Sequence, residues 1–173
     1  MDLFEEWLNK KDTSKWVKRA LTDPSFNNYR ANGVTKRAPD YEAKHTPLPV
    51  NTDLATYGDA VIKFCYSALL LDTTKQLTED KKKVECDKYL VDTVARHYKL
   101  LSYIDKDPRN RELPDDYDYE SHGGTNKNPC KYIATAVEAM VGAIFQETRN
   151  LSGIIGLLDS WLHWNIDFQG FEK

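Results

Sequence analysis

The chain has 173 residues, of which 40% are hydrophobic, and it contains four Trp, ten Tyr and six Phe. This is enough for one compact domain with a sizeable core. No apolar run approaches the roughly 18 residues of a membrane span, and residues 1–11 are too charged for a secretory signal, so we expect a cytoplasmic protein without a membrane partner. The cysteines, Cys65, Cys86 and Cys130, are odd in number and widely spaced, which argues against disulfides and a zinc site.

The formal net charge of −3 argues against a protein held on nucleic acid by phosphate contacts alone. The charge is uneven, however, because Lys81, Lys82 and Lys83 form a basic run in the middle of the chain. Such a run indicates either a solvated helix surface or a basic face for an anionic partner.

The first fifty residues predict two short helices and then an irregular segment. Apolar residues recur through residues 3–21, but the helix-capping residues Asp12, Thr13 and Ser14 interrupt them. Residues 23–50 contain many Pro and Asn residues and little apolar periodicity, so we expect a long, irregular connection there.

The remaining chain predicts helices and no strands. Residues 52–71 carry apolar side chains on almost every helical face, which predicts a central, mostly buried helix. Residues 105–129 are acidic and rich in turn-forming residues, and they predict a long loop. Helical periodicity also occurs in four further segments, residues 84–95, 98–104, 131–148 and 151–164. The sequence therefore predicts an all-α fold.

Two carboxylates, Asp59 and Glu138, interrupt otherwise apolar helical stretches. An ionised carboxylate kept from water is costly unless another group pairs with it. Small residues lie near both carboxylates, namely Ala55, Gly58, Ala134 and Gly142. Small side chains allow two helices to approach closely, and if these helices cross there, the two carboxylates face one another.

Two facing carboxylates repel each other unless a cation or a proton lies between them. Mg²⁺ suits this position, with Mn²⁺ as a substitute, because it prefers oxygen ligands and is commonly held by one or two carboxylates and substrate phosphates. A bound Mg²⁺ also activates water for phosphodiester hydrolysis, so Asp59 and Glu138 are candidate metal ligands and catalytic residues. In the alternative interpretation, Asp59 pairs with Lys63 one turn further on, and Glu138 pairs with another cation. The spacing does not decide between them.

The sequence around each carboxylate resembles the ribonuclease III family. Residues 51–61 read Asn-Thr-Asp-Leu-Ala-Thr-Tyr-Gly-Asp-Ala-Val, and the family signature reads Asn-Glu-Arg-Leu-Glu-Phe-Leu-Gly-Asp-Ala-Val. Residues 131–145 read Lys-Tyr-Ile-Ala-Thr-Ala-Val-Glu-Ala-Met-Val-Gly-Ala-Ile-Phe, which resembles the family's Lys-x-Leu-Ala-Asp-x-x-Glu-Ala-Leu-Ile-Gly-Ala-Ile-Tyr. The resemblance implies a ribonuclease III-like helical endonuclease domain over residues 51–173, preceded by N-terminal helices and an irregular extension over residues 1–50.

The family's acidic residues are only partly present. Thr52, Ala55 and Thr135 stand where the family has carboxylates, and Asp59 and Glu138 remain. This pattern is similar to the Mini-III branch, which lacks a separate double-stranded-RNA-binding domain, and we expect no such domain in the nine residues after Trp164. The resemblance implies a Mg²⁺-dependent endoribonuclease that acts as a homodimer on double-stranded or structured RNA, with ribosomal RNA processing as one role.

RNA contacts would then come from the catalytic domain itself. Double-stranded RNA is recognised mainly by its shape and through phosphate and 2′-OH contacts. The candidate contacts are Lys131, at the start of the second motif, and Lys81, Lys82 and Lys83. The four histidines form no recognisable metal or nucleophile pattern, so we assign them no role.

Two other functions remain open. The first is a catalytically inactive ribonuclease III-like protein that dimerises and binds structured RNA, which the missing carboxylates favour. The second is a helical domain unrelated to RNA, and its only support is the negative net charge. Salt-sensitive binding to duplex RNA would exclude the second.

Overall fold

The computed structural model describes residues 1–32, 41–71, 76–108, 119 and 130–164. All regular structure in these ranges is helical, which confirms the predicted all-α class. An isolated parallel bridge joins Thr22 and Asp105. Within the same ranges, no helix has the length and apolar character needed to cross a membrane.

Two short helices open the chain, as predicted: α1 (Leu3–Leu8) and α2 (Lys15–Ala20). The Asp2 carboxylate accepts a hydrogen bond from the Glu5 backbone N–H at 2.9 Å, and the Ser14 hydroxyl accepts one from the Val17 N–H at 3.3 Å. Both side chains therefore cap the first turn of a helix.

The predicted irregular connection over residues 23–50 is wrong in part, because it contains α3 (Pro24–Ala31) and α4 (Tyr41–His45). Asp23 caps α3 by accepting a hydrogen bond from the Ser25 N–H at 2.9 Å, and Pro24 occupies the first helical position. Proline is well suited to that position because its fixed φ is already helical. Residues 33–40 lie outside the described part of the chain.

The predicted central helix is α5 (Thr52–Leu70). It buries eight residues, Leu54, Ala55, Gly58, Val61, Ile62, Cys65, Tyr66 and Leu70. The expectation that its apolar residues are mostly buried on every face is wrong on one side, because Phe64 is 58% exposed and Leu71, which follows the helix, is 62% exposed.

The middle of the chain is less regular than predicted. Helix α6 (Leu77–Glu85) begins before residue 84 and ends at Cys86, whose backbone is extended. Helix α7 (Asp87–Tyr89) then continues as a π-helix over Leu90–Ala95. The helix predicted over residues 98–104 is a single 3₁₀ turn (Leu100–Ser102), preceded by Lys99 in the left-handed region with φ 51°.

The last two helices, α8 (Lys131–Thr148) and α9 (Leu151–Leu162), confirm the predicted pair. Helix α8 buries ten of its eighteen residues, and its contact with α5 is the largest between helices in the described ranges. Helix α2 and the π-helix also pack against it. The predicted loop over residues 105–129 lies mostly in the undescribed ranges 109–118 and 120–129.

Aromatic residues join α1 to α9. Phe4 stacks on Tyr98 with ring centroids 4.5 Å apart and contacts the edge of Trp161 at 5.6 Å. The Trp161 indole N–H donates a hydrogen bond to the Tyr98 hydroxyl at 3.1 Å, and the Tyr98 hydroxyl donates one to the Asp2 carboxylate. Helix α1 is thereby fixed to α9 and to the segment that follows the π-helix.

Candidate active site

The site begins where α5 and α8 touch at two glycines. A Cβ atom on Gly58 would lie 1.8 Å from the Glu138 carbonyl oxygen, and one on Gly142 would lie 2.3 Å from the Leu54 carbonyl oxygen. Only glycine fits at such backbone contacts. The two helices therefore do cross at these small residues.

Asp59 and Glu138 line one cavity of about 430 Å³ beside this crossing. Three segments form the cavity: α5, α8 and the junction of α6 with α7. Besides the two carboxylates, its lining residues are Thr52, Ala55, Thr56, Lys63, Glu85, Cys86, Asp87, Lys131 and Thr135. The fold thus brings together the two acidic residues singled out in the sequence.

Asp59 also has a partner on its own helix. The Lys63 ammonium donates a hydrogen bond to its Oδ2 at 2.7 Å, and this contact is an ion pair between residues one turn apart. The hydrogen bond to Asp59 is the largest effect on the pKa of Lys63, which lies above its usual value. The two arrangements considered for Asp59 therefore coexist, since it pairs with Lys63 and faces the same cavity as Glu138.

Glu138 is the most perturbed acid of this cavity. Its pKa is raised to about 7, first by burial and then by the negative charges of Asp59 and Asp87, while Lys63 and Lys131 act in the opposite direction. No described residue donates a hydrogen bond to its carboxylate or forms an ion pair with it. A cation near this carboxylate would therefore favour its ionised form.

Two further carboxylates, Glu85 and Asp87, lie in the cavity lining and were not predicted. Glu85 pairs with Lys81 at 3.3 Å, and the Asp87 carboxylate lies 3.5 Å from the Tyr119 hydroxyl. In the sequence they belong to an ordinary charged segment, without an apolar context to distinguish them. Only the break in the helix at Cys86 directs them towards the cavity.

Thr52, Ala55 and Thr135, the three departures from the family's acidic positions, also line the cavity. The Thr135 hydroxyl donates a hydrogen bond to the Lys131 carbonyl oxygen at 3.1 Å, one turn back on its own helix. Neither threonine nor alanine provides a charged ligand. The cavity therefore keeps the positions of a larger acidic set but only part of its charge.

The four candidate RNA-binding lysines separate into two groups. Lys131 is exposed and lines the cavity, and no described residue forms an ion pair with it. Lys81, Lys82 and Lys83 instead pair with Glu85, Glu79 and Asp80, at 3.3, 3.2 and 3.0 Å respectively. The structure thus places only Lys131 at the cavity.

The described part of the chain contains no group of three or more His, Cys, Asp or Glu side chains arranged to hold a metal ion. Its cysteines are free thiols, and burial raises the pKa of Cys65 to about 11. The carboxylate pair of Asp59 and Glu138 is therefore the remaining candidate for a cation site among these residues.

The ribonuclease III domain family matches residues 52–149, which are more than half of the chain. The chain belongs to the ribonuclease III family. Asp59 and Glu138 both lie within the matched range, and the family indicates an endoribonuclease that binds RNA. No curated protein and no solved structure shows a significant match.

Proposed function

We propose that this ribonuclease III protein is a divalent-metal-dependent endoribonuclease that cleaves double-stranded or structured RNA. One observation carries the proposal: Asp59 and Glu138 project from two helices in backbone contact and line the same cavity. The negative charges of Asp59 and Asp87, which contribute to the raised pKa of Glu138, support it because they favour binding of a cation.

The donor set suits Mg²⁺, with Mn²⁺ as a substitute. Carboxylate oxygens are the ligands that both ions prefer, and Asp59 and Glu138 would hold the ion, with Asp87 as a further carboxylate of the same lining. A bound ion supplies charge neutralisation at the phosphate and a water of lowered pKa. Lys131 would contact an RNA phosphate at the cavity, and Lys81, Lys82 and Lys83 remain candidate contacts outside it.

We also propose that two copies associate through the outer face of α5. Phe64 and Leu71 are exposed there, and because they lie seven residues apart they project from the same side. Ala60, one turn before Phe64, and Ala68, between Phe64 and Leu71, are exposed as well. This apolar stripe suits a homodimer, in which the stripe of one copy would cover that of the other.

We propose that the protein is a Mini-III-like enzyme, which the reduced set of carboxylates in the cavity supports. A role in ribosomal RNA processing is proposed on the same basis, and it depends on the Mini-III assignment. We further propose that residues 51–173 form the catalytic domain and that residues 1–50 form an extension packed on it. The contact of α2 with α8 and the ion pair of Arg19 with Asp53 at 2.8 Å support this division.

A second candidate is a protein of the same fold that binds structured RNA without cutting it. Thr52, Ala55 and Thr135 favour this candidate because they remove charge from the cavity. The ion pair of Asp59 with Lys63 favours it as well, since it neutralises one of the two remaining acids.

Cleavage of a labelled RNA duplex distinguishes the two candidates. We expect cutting by the parent protein with Mg²⁺, none with EDTA, and loss of on the order of a hundredfold or more in Asp59→Asn and Glu138→Gln. Glu147→Gln, on the same helix as Glu138 but outside the cavity lining, is the matched control. Salt-sensitive binding of the duplex without cutting would contradict the nuclease and support the second candidate.

A further inference from the structure

We propose that Lys63 sets the affinity of this cavity for divalent cations, because its ammonium group occupies a carboxylate that the cation needs. The inference rests on the proposed function and deepens it. Lys63, which is not one of the acidic residues, would then determine the concentration of free metal at which the site is filled.

The geometry places the ammonium in direct competition with a metal ion. Lys63 and Asp59 are one turn apart on α5, their charged atoms are 2.7 Å apart, and both residues line the cavity. Their side chains are 52% and 34% exposed respectively. A cation from solvent can therefore reach the Asp59 carboxylate, but it meets a carboxylate that already has a counterion.

Of the two lysines that line the cavity, Lys63 and Lys131, Lys63 is the one that forms an ion pair with a candidate metal ligand. Glu85 is paired with Lys81, whereas Glu138 has no ion-pair partner among the described residues. The charges of Asp59, Glu85 and Glu138 all act on Lys63, so its ammonium lies within the field that would attract a metal ion. A divalent ion must displace the ammonium from Asp59 or bind against its repulsion.

The exchange is feasible because exposed ion pairs are weak. Such pairs contribute little to stability because solvent screens them, so a divalent ion at sufficient concentration displaces the ammonium. Lys63 therefore weakens metal binding without abolishing it. Removing one positive charge a few ångströms from a divalent ion is expected to raise its affinity by on the order of tenfold in a largely aqueous environment.

The test is direct titration of the full chain with Mn²⁺, in which free Mn²⁺ is followed by electron paramagnetic resonance in the absence of RNA. Lys63→Met removes the charge but keeps much of the side-chain length, and Lys63→Arg keeps the charge. Lys10→Met is the matched control, because Lys10 also forms a 2.7 Å ion pair with a carboxylate four residues away, outside the cavity. Circular dichroism melting confirms that each variant is folded.

We expect Lys63→Met to bind Mn²⁺ about tenfold more tightly, while Lys63→Arg and Lys10→Met stay within about twofold of the parent. Equal affinity of Lys63→Met and the parent, with loss of binding in Asp59→Asn, overturns the role of Lys63 and leaves the proposed metal site intact. If Asp59→Asn and Glu138→Gln leave the Mn²⁺ affinity unchanged, both in the parent and in Lys63→Met, the proposed metal site fails. The role of Lys63 then fails with it.

Discussion

At Glu138, burial and neighbouring negative charges both raise the pKa of a single carboxylate. Burial and the charges of Asp59 and Asp87 raise its pKa to about 7 from the ordinary 4.5, against the opposing effects of Lys63 and Lys131. The folded protein therefore binds a proton at Glu138 more tightly than the unfolded chain does. Proton binding at this residue thus contributes to the free energy of unfolding.

Because the folded pKa is the higher one, this contribution is complete below about pH 4.5 and is lost as the pH rises through about 7. We expect it to reach about 1–2 kcal/mol in metal-free protein, because solvent screens a carboxylate that is only partly buried. Urea unfolding in EDTA at about pH 5 and about pH 8, compared between the parent and Glu138→Gln, isolates it from other titrations. If both proteins change equally with pH, Glu138 does not carry the effect.

The residues of the site differ in how far the sequence predicted them. Asp59 and Glu138 interrupt apolar helices, so the cost of burying a charge made them visible, and Lys63 was foreseen as an alternative partner of Asp59. Asp87 and Glu85 had no such signal. They reach the cavity only because the chain turns at Cys86, and sequence periodicity does not encode that turn.

The contact of α5 with α8 determines where the carboxylates lie. A methyl group at position 58 would overlap the backbone of Glu138, so Gly58→Ala must push the helices apart. We expect a loss of at least about 2 kcal/mol in the free energy of unfolding, measured by chemical denaturation. The same change should reduce RNA cleavage, since it displaces Glu138 relative to Asp59.

Gly156 provides the matched control for this substitution. It lies within α9, and among the described residues no atom outside its own helix backbone lies within 4 Å of a Cβ placed there. Gly156→Ala should therefore stabilise the protein by about 0.5–1 kcal/mol, because alanine is the better helix former. Similar losses in both variants would mean that the loss at Gly58 does not come from the close contact of α5 with α8.

The helices that could be predicted are those with a buried apolar face. Helices α5, α8 and α9 each bury a face, and their apolar spacing identified them with small errors at the ends. Helix α3 buries no residue, so only the capping pair Asp23 and Pro24 marked its beginning. The left-handed backbone of Lys99 interrupts the helix predicted over residues 98–104. Sequence does not predict this conformation at a residue other than glycine, because such residues rarely adopt it.

Among the described residues of the whole molecule, an exposed apolar stripe follows α5, and the proposed homodimer depends on it. We expect the parent protein to sediment as a dimer, and Phe64→Glu and Leu71→Glu to sediment as monomers, because each places a charge in the apolar contact. Tyr29→Glu, at an exposed aromatic residue on α3, should leave the dimer intact. A monomeric parent protein at micromolar concentration would contradict this interface.

Because the chain has a net charge of −3, RNA binding must depend on particular lysines and not on the overall charge. Lys131 lines the cavity without an ion-pair partner among the described residues, whereas Lys82 is already paired with Glu79 on its own helix. We therefore expect Lys131→Met to weaken binding to duplex RNA more than Lys82→Met does. The slope of log affinity against log salt should fall by roughly 0.7–0.9 for the single phosphate contact that is lost.

Fluorescence anisotropy with a labelled duplex at several salt concentrations measures both quantities. Lys18→Met is the control, because Lys18 is exposed on α2 and does not line the cavity. An unchanged slope in Lys131→Met would exclude a phosphate contact there. A larger effect of Lys82→Met would instead assign the RNA surface to α6, and it would mean that RNA displaces Lys82 from Glu79. Because counterion release depends on the number of phosphates neutralised, the slopes separate these surfaces even where the affinities are similar.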